Sequence, residues 1–196
     1  MLTVETDVGA VEERLGSGRL ACPGCSGLLA GWGHARGRRV RGADGVLWVV
    51  PRRSRCTCCR ATHVLLPVVL LLRRADTVAV IGAGLTAKAA GAGHRLIAAL
   101  LGRPPETVRG WLRRFAGRVE PVRAVVTRWC RALAPDPVLP GPAGSAWADA
   151  LAAVLAAAAA LAARFGIGEV AVWQAAVAVS GARLLAPGWP VPAGRT

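Results

Sequence analysis

A chain of 196 residues with 54% hydrophobic content is long enough for one or two small domains and too apolar to be wholly disordered. Much of the apolar content is alanine, which favours a lean helical core. The formal net charge is +14, and residues 36–131 hold 20 of the 25 basic residues but only four acidic ones. This concentration of positive charge indicates a polyanionic partner such as nucleic acid.

The first segment in chain order, residues 1–19, is an acidic leader of uncertain order. It contains no apolar stretch typical of a secretory signal, so we expect a cytoplasmic, nucleoid-associated protein with reduced cysteines. Residues 20–70 are rich in cysteine, glycine and β-branched residues and predict short strands. Within them, residues 38–41 and 46–50 flank Ala43-Asp44-Gly45, a pattern that predicts a β-hairpin.

Four cysteines in this segment form two C-x2-C pairs, Cys22 with Cys25 and Cys56 with Cys59. Each such turn directs two thiolates at one point, and two turns on facing hairpins complete a tetrahedron around Zn2+. A closed four-sulfur site has no open position, so the predicted zinc is structural. The ligand choice stays open because Cys58, His34 and His63 lie close by in the sequence. A redox pair is the weaker interpretation, since it belongs in a βαβ setting.

Residues 75–134 show helical periodicity and predict a tri-helical domain. Its first segment contains VAVIGAGLTA (78–87), which resembles a dinucleotide-binding fingerprint. That interpretation, a nucleotide-dependent enzyme, makes residues 77–81 a strand and needs a second strand with a terminal acid, which the following sequence does not offer. We therefore favour a helix over residues 75–90.

Residues 94–115 match the register of a helix-turn-helix, with His94 at its first position. Small Ala98 lies where the helices cross, Gly102 permits the positive φ of the turn, and Pro104-Pro105 begin the second helix. The apolar seam consists of Ile97, Leu101, Val108 and Trp111. A plain helical hairpin is the alternative interpretation. The residues predicted to contact DNA bases and phosphates are Arg95, Arg103, Glu106, Thr107, Arg109, Arg113 and Arg114.

The rest of the chain is predicted as a Pro/Gly linker (135–144), a C-terminal helical pair (145–187) and an irregular tail (188–196). The first of these helices covers residues 145–164, with Ser145 as N-cap and Gly166 after its end. Its uninterrupted apolar run, residues 150–163, has 14 residues, fewer than a membrane span needs. We expect a packed helix and no membrane partner, and its small residues suggest a homodimer.

With both motifs in place, the chain resembles an uncharacterised zinc-ribbon plus helix-turn-helix family of high-GC, actinobacterial-type bacteria. That family is related to the DNA-recognition regions of insertion-sequence transposases. The matching segments are LACPGCSGLLAGWGHARGRRVR, RRSRCTCCRATHVLLP, GAGHRLIAALLGRPPETVRGWLRRF and WQAAVAVSGARLLAP, within residues 20–187. The resemblance implies DNA binding and supports Cys22, Cys25, Cys56 and Cys59 as the metal set. Cys58 departs from the family pattern.

Taken together, the sequence predicts a mainly α protein with a small β zinc ribbon, a tri-helical helix-turn-helix and alanine-rich C-terminal helices. We expect a binding protein for double-stranded DNA, either a transcription regulator or a transposon-associated module. Catalysis is not expected, because the acids after residue 120 are only Asp136, Asp149 and Glu169 and the chain has no tyrosine. A ribbon that binds another protein or RNA is the alternative.

Overall fold

The computed structural model describes residues 1–166 and 171–190. Its N-terminal part contains β1 (Leu2–Val4), α1 (Val8–Gly16), β2 (Leu29–His34), β3 (Arg38–Arg41), β4 (Val46–Val49), β5 (Arg52–Cys56) and β6 (Thr62–Pro67). Helices follow: α2 (Val78–Ala89), α3 (His94–Leu101), α4 (Pro105–Ala116), α5 (Val119–Leu133), α6 (Ala146–Phe165) and α7 (Val172–Ser180). The prediction of a mainly helical chain with a small sheet is confirmed at this level.

A four-stranded mixed sheet carries the cysteines, in the order β1-β6-β5-β2. The leader differs from the expectation, because it supplies the edge strand β1, parallel to β6, and the helix α1. Val4, Val11 and Leu15 of the leader are buried with Leu65 of β6 in a small core of their own. A short ribbon buries little apolar surface by itself. The leader side chains add buried apolar surface to it.

The predicted hairpin forms as β3 and β4, with Val40 opposite Leu47, but it makes a separate two-stranded sheet. The two cysteine pairs are instead brought together by β2 and β5, which place Leu29 opposite Cys56. The hairpin docks on the helices: Val40 is fully buried among them, and the amide of Arg41 donates to the carbonyl of Ala75 (2.8 Å).

The glycines of the nucleotide-like segment are explained by helix packing. Residues 78–89 form helix α2, as predicted, so the strand that a dinucleotide fingerprint needs is not formed there. A Cβ on Gly82 would lie 2.2 Å from the ring of Trp173 in α7. A Cβ on Gly84 would come within 3.4 Å of Ile97 and Leu101. Both glycines therefore allow close contact between helices.

Helix α6 packs on α5, and α7 packs on α6 and α2. The α6 helix begins after Ser145, whose hydroxyl accepts from the Ala148 amide (3.2 Å), and it ends at Gly166, as predicted. Among the described residues, α6 is the one helix long and apolar enough to cross a membrane. Its buried Ala153 lies against Cys130 of α5, so part of its small-residue face is used within the chain. Homodimerisation stays a prediction. Residues 167–170 of the predicted helical pair and residues 191–196 of the tail lie outside the described residues.

Candidate metal centre and basic helix surface

The four predicted cysteine ligands lie together at one end of the sheet. The Sγ atoms of Cys22, Cys25, Cys56 and Cys59 all lie within 4.8 Å of one another. The Sγ–Sγ distance is 3.7 Å between Cys22 and Cys59 and 3.4 Å between Cys25 and Cys56. Tetrahedral zinc with sulfur at about 2.3 Å requires a sulfur–sulfur edge of about 3.8 Å. The thiols therefore have the spacing to hold a metal ion.

The two cysteine turns have the same backbone hydrogen bond and a left-handed residue at the same position. In the first turn, the Cys22 amide donates to the Gly27 carbonyl (2.7 Å), and Ser26 adopts the left-handed conformation with φ 59°. In the second turn, the Cys56 amide donates to the Ala61 carbonyl (2.8 Å), and Arg60 adopts φ 65°. The equivalence identifies Cys59, and not Cys58, as the counterpart of Cys25.

Amide hydrogen bonds and neighbouring thiols shift the pKa of the second cysteine of each turn. The Gly27 amide, followed by the thiols of Cys59 and Cys56, lowers the pKa of Cys25 to about 6. The Ala61 amide also lowers the pKa of Cys59, but the neighbouring thiols of Cys25 and Cys56 outweigh it and raise that pKa to about 12. The metal-free cluster thus carries its first negative charge on Cys25. Concentrated thiolates of this kind attract a soft cation.

The substitute ligands occupy different places. Cys58 is exposed beside the cluster, and the charge on Cys25 raises its pKa. His63 Nε2 lies 3.4 Å from Cys22 Sγ, a hydrogen-bonding distance to a sulfur ligand. His34 pairs with Arg52 in the sheet and lies five residues along β2 from Leu29, the residue opposite Cys56. At the rise of a β-strand, this separation places His34 about 17 Å from the cysteine end of the sheet.

Helices α3 and α4 form the predicted helical pair. The αL residue Gly102 (φ 61°) ends α3, and Pro105 stands in the first turn of α4. Ile97 and Val108 are fully buried between the helices, with Trp111 nearly so. The seam inferred from the sequence is therefore the packed interface between the two helices.

Most of the residues predicted to contact DNA are exposed to solvent. Arg95, Glu106, Arg109 and Arg113 are exposed, and Thr107 is half-buried beside them. Arg109 and Glu106 form a weak exposed pair at 3.5 Å. Arg114 is half-buried, and its Nη1 donates to the Gly110 carbonyl (2.9 Å). The α4 surface thus presents guanidinium groups along its length.

Arg103 has a different role from the predicted one. Its side chain is only 12% exposed, and Nε donates to Oδ1 of Asp76 at 2.7 Å. Its Nη2 donates to the Gly42 carbonyl (2.6 Å), while Arg41 binds the other oxygen of Asp76 (2.7 Å). Arg103 therefore joins the turn before α4 to the hairpin and does not belong to the candidate DNA surface. Asp76 is the one acidic residue between Asp44 and Glu106, but the sequence does not indicate which arginine pairs with it.

Comparison with known proteins gives no match. No protein-family model, curated protein or solved structure matches this chain. The function of this protein must therefore be inferred from its own residues and their geometry.

Proposed function

We propose that this protein binds double-stranded DNA through α3 and α4, acting as a helix-turn-helix with α4 as the recognition helix. The observation that carries the proposal is the exposed row Arg109 and Arg113 on α4, together with the exposed Arg95 on α3. These arginines lie on the face opposite the buried seam, so they can meet DNA without unpacking the helices.

The chemistry of α4 fits the major groove. Its first turn offers Glu106 and Thr107, a carboxylate for cytosine amino groups and a hydroxyl for either base or phosphate. Its later arginines can form bidentate contacts with guanine or with phosphate oxygens.

The cysteine cluster acts in this proposal as a structural zinc site. Four protein sulfurs fill a tetrahedral shell, so the metal has no position for substrate or water. Cys22, Cys25, Cys56 and Cys59 would hold the ion, and metal binding would stabilise the fold of the ribbon. The ion thereby stabilises the support of the DNA surface and takes no part in a reaction.

The biological role that fits best is a regulator or the recognition module of a mobile element. The combination of ribbon and helix-turn-helix resembles the DNA-recognition regions of insertion-sequence transposases. We propose a binding module and not a catalyst, located with the nucleoid in the cytoplasm. Asp136 lies in the connection before α6, and Asp149 in its first turn, where its side chain accepts from the Ala143 amide (2.6 Å).

Binding to duplex DNA tests the proposal. We expect zinc-loaded protein to bind with an affinity that falls steeply with salt, and Arg109→Ala with Arg113→Ala to weaken binding at least tenfold, since each base or phosphate contact contributes about 1–3 kcal/mol. The charge-matched control is Arg128→Ala with Arg131→Ala, two exposed arginines of α5. An equal loss in both variants would contradict α4 as the recognition helix.

A protein partner on the hairpin is a second candidate function. Trp48 is 68% exposed, with Val46 and Leu47 beside it on β4. An exposed aromatic in an apolar patch is typical of a protein interface. Trp48→Ser should abolish capture of such a partner and leave duplex binding unchanged. RNA as the partner would instead require the arginines of α4 and would compete with duplex DNA.

A further inference from the structure

A cavity of about 380 Å³ is lined by the second half of α5, by the end of α7 and by the segment that follows α7. Arg128 and Trp129 line it from α5, and Arg183 and Trp189 line it from the segment after α7. Sites for small ligands have volumes of about 300–1,000 Å³, so this cavity suits a ligand of modest size. The fold thus places two indoles and two guanidinium groups around one cavity.

The segment after α7 is held in place by turns and by the core. The Arg183 amide donates to the Ser180 carbonyl (3.0 Å), and the Arg183 carbonyl accepts from the Ala186 amide (2.7 Å). Leu184 beside it is almost fully buried. Trp189 is half-buried and packs against the main hydrophobic core. A ligand would therefore lose little free energy in ordering this side of the cavity.

Trp129 presents an exposed indole to the cavity. It is 43% exposed, whereas Val126 and Cys130, its neighbours on α5, are buried in the core. The packing of α5 therefore does not depend on covering this ring. An exposed aromatic ring can stack on the flat face of a nucleobase, and such stacking tolerates any sequence because every base has a π-face.

Arg128 and Arg183 give the cavity a positive charge. Both are exposed, and no aspartate or glutamate is among the described residues that line the cavity. Within residues 1–166 and 171–190, neither arginine takes part in a salt bridge. Aromatic rings alone would suit a cationic ligand, but the two guanidinium groups repel one. They match the oxygens of a phosphate instead.

We infer that this cavity binds one unpaired nucleotide. The base stacks on the indole of Trp129, beside Trp189. Its phosphate contacts Arg128 and Arg183. A base within a duplex is paired and stacked on its neighbours, so its face is not available to an indole. The site is therefore distinct from the duplex surface proposed for α4. The nucleotide can come from a single strand of DNA or RNA or from a free nucleotide, which share this chemistry.

Fluorescence anisotropy with labelled oligothymidine, which forms no duplex, tests the site in the zinc-loaded full chain. Trp129→Ala should weaken the affinity at least about fivefold, the lower end of the loss for one base–aromatic stack. Trp129→Phe should retain most of the affinity, because phenylalanine still stacks. Arg183→Gln should reduce the slope of log affinity against log salt by about 0.7, as expected for one lost phosphate contact on a single strand.

The hairpin offers a matched control. Arg39 and Trp48 are cross-strand partners, both exposed, and neither lines the cavity. Trp48→Ala and Arg39→Gln should bind oligothymidine as wild type does. Trp129→Ala should bind duplex DNA as wild type does, since the site takes only unpaired bases.

Three probes identify the source of the nucleotide: oligothymidine, oligouridine and thymidine monophosphate. Binding of the oligonucleotides that depends on Trp129, with much weaker binding of the monophosphate, assigns the site to a single strand, and the tighter oligonucleotide distinguishes DNA from RNA. Equal affinity for the monophosphate assigns it to a free nucleotide. Equal affinities of wild type and Trp129→Ala for all three probes would overturn the inference and leave the exposed indole to a protein partner.

The outcome is independent of duplex recognition by α4. Arg109→Ala with Arg113→Ala should keep the effect of Trp129→Ala on oligothymidine binding, even if the wild-type protein binds no duplex. Loss of that effect in the α4 variant would place the single strand on α4 and overturn the cavity as its site.

Discussion

Arg103 and Asp76 form a nearly buried ion pair, with 2.7 Å between Nε and Oδ1, that joins the α3–α4 turn to the segment before α2. Arg41 of the hairpin binds the second oxygen of the same carboxylate at 2.7 Å. One aspartate thus connects three parts of the chain that are distant in sequence. This contact fixes the turn before α4 against the hairpin and the segment before α2.

Removing Arg103 should destabilise the protein. Arg103→Ala leaves the buried Asp76 carboxylate with Arg41 as its remaining partner, so we expect a loss of about 1–3 kcal/mol, less than the cost of a fully uncompensated buried charge. Urea denaturation followed by circular dichroism measures the change. Arg95→Ala is the control, because Arg95 is exposed and its removal should change the free energy of unfolding by less than about 0.5 kcal/mol. An unaltered stability in Arg103→Ala, with reduced DNA affinity, would restore Arg103 to the DNA surface.

The equivalence of the two cysteine turns predicts which thiol of the second pair binds the metal. Cys59→Ser should abolish stoichiometric zinc binding, whereas Cys58→Ser should retain it, because the Cys58 side chain lies outside the four-sulfur cluster. Titration with Co2+ measures this directly, since tetrahedral four-thiolate cobalt has strong visible absorption. Loss of the absorption in Cys58→Ser alone would reverse the ligand assignment.

Gly27 should be required for the first cysteine turn. A Cβ on Gly27 would lie 2.7 Å from Cys58 Cβ, which is too close, and 3.1 Å from Cys56 Sγ, which is a tight contact. We expect Gly27→Ala to lower zinc affinity at least tenfold, measured by competition with a chelator. The equivalent residue of the second turn is already alanine, so Ala61→Gly is the matched control and should bind zinc almost as wild type. A wild-type affinity in Gly27→Ala would contradict the described packing.

In the metal-free protein, Cys25 should be the most reactive thiol at neutral pH. Its pKa is lowered to about 6, so it is mainly thiolate at pH 7 and mainly thiol at pH 5, while the pKa of Cys59 is raised to about 12. Iodoacetamide should therefore modify Cys25 first at pH 7, and the rate should fall on acidification through pH 6. Peptide mass spectrometry identifies the site. Preferential labelling of Cys59 would disprove this order.

The features that the sequence predicted well are those fixed by local chemistry. The C-x2-C spacing, the Asp-Gly hairpin, the αL residue Gly102 and the N-cap Ser145 each act within a few residues. The features that were missed depend on distant partners. The leader completes the sheet through β6, and Arg103 is indistinguishable from an exposed arginine until the fold brings Asp76 beside it.

Selection of bound sequences from a random duplex pool tests DNA recognition by α4 without assuming a target site. The zinc-loaded full chain is used at near-physiological salt, with Arg109→Ala/Arg113→Ala in parallel. We predict an enriched motif for the wild type that the double variant fails to enrich. Binding without enrichment, or the same motif from both proteins, would contradict sequence recognition by α4.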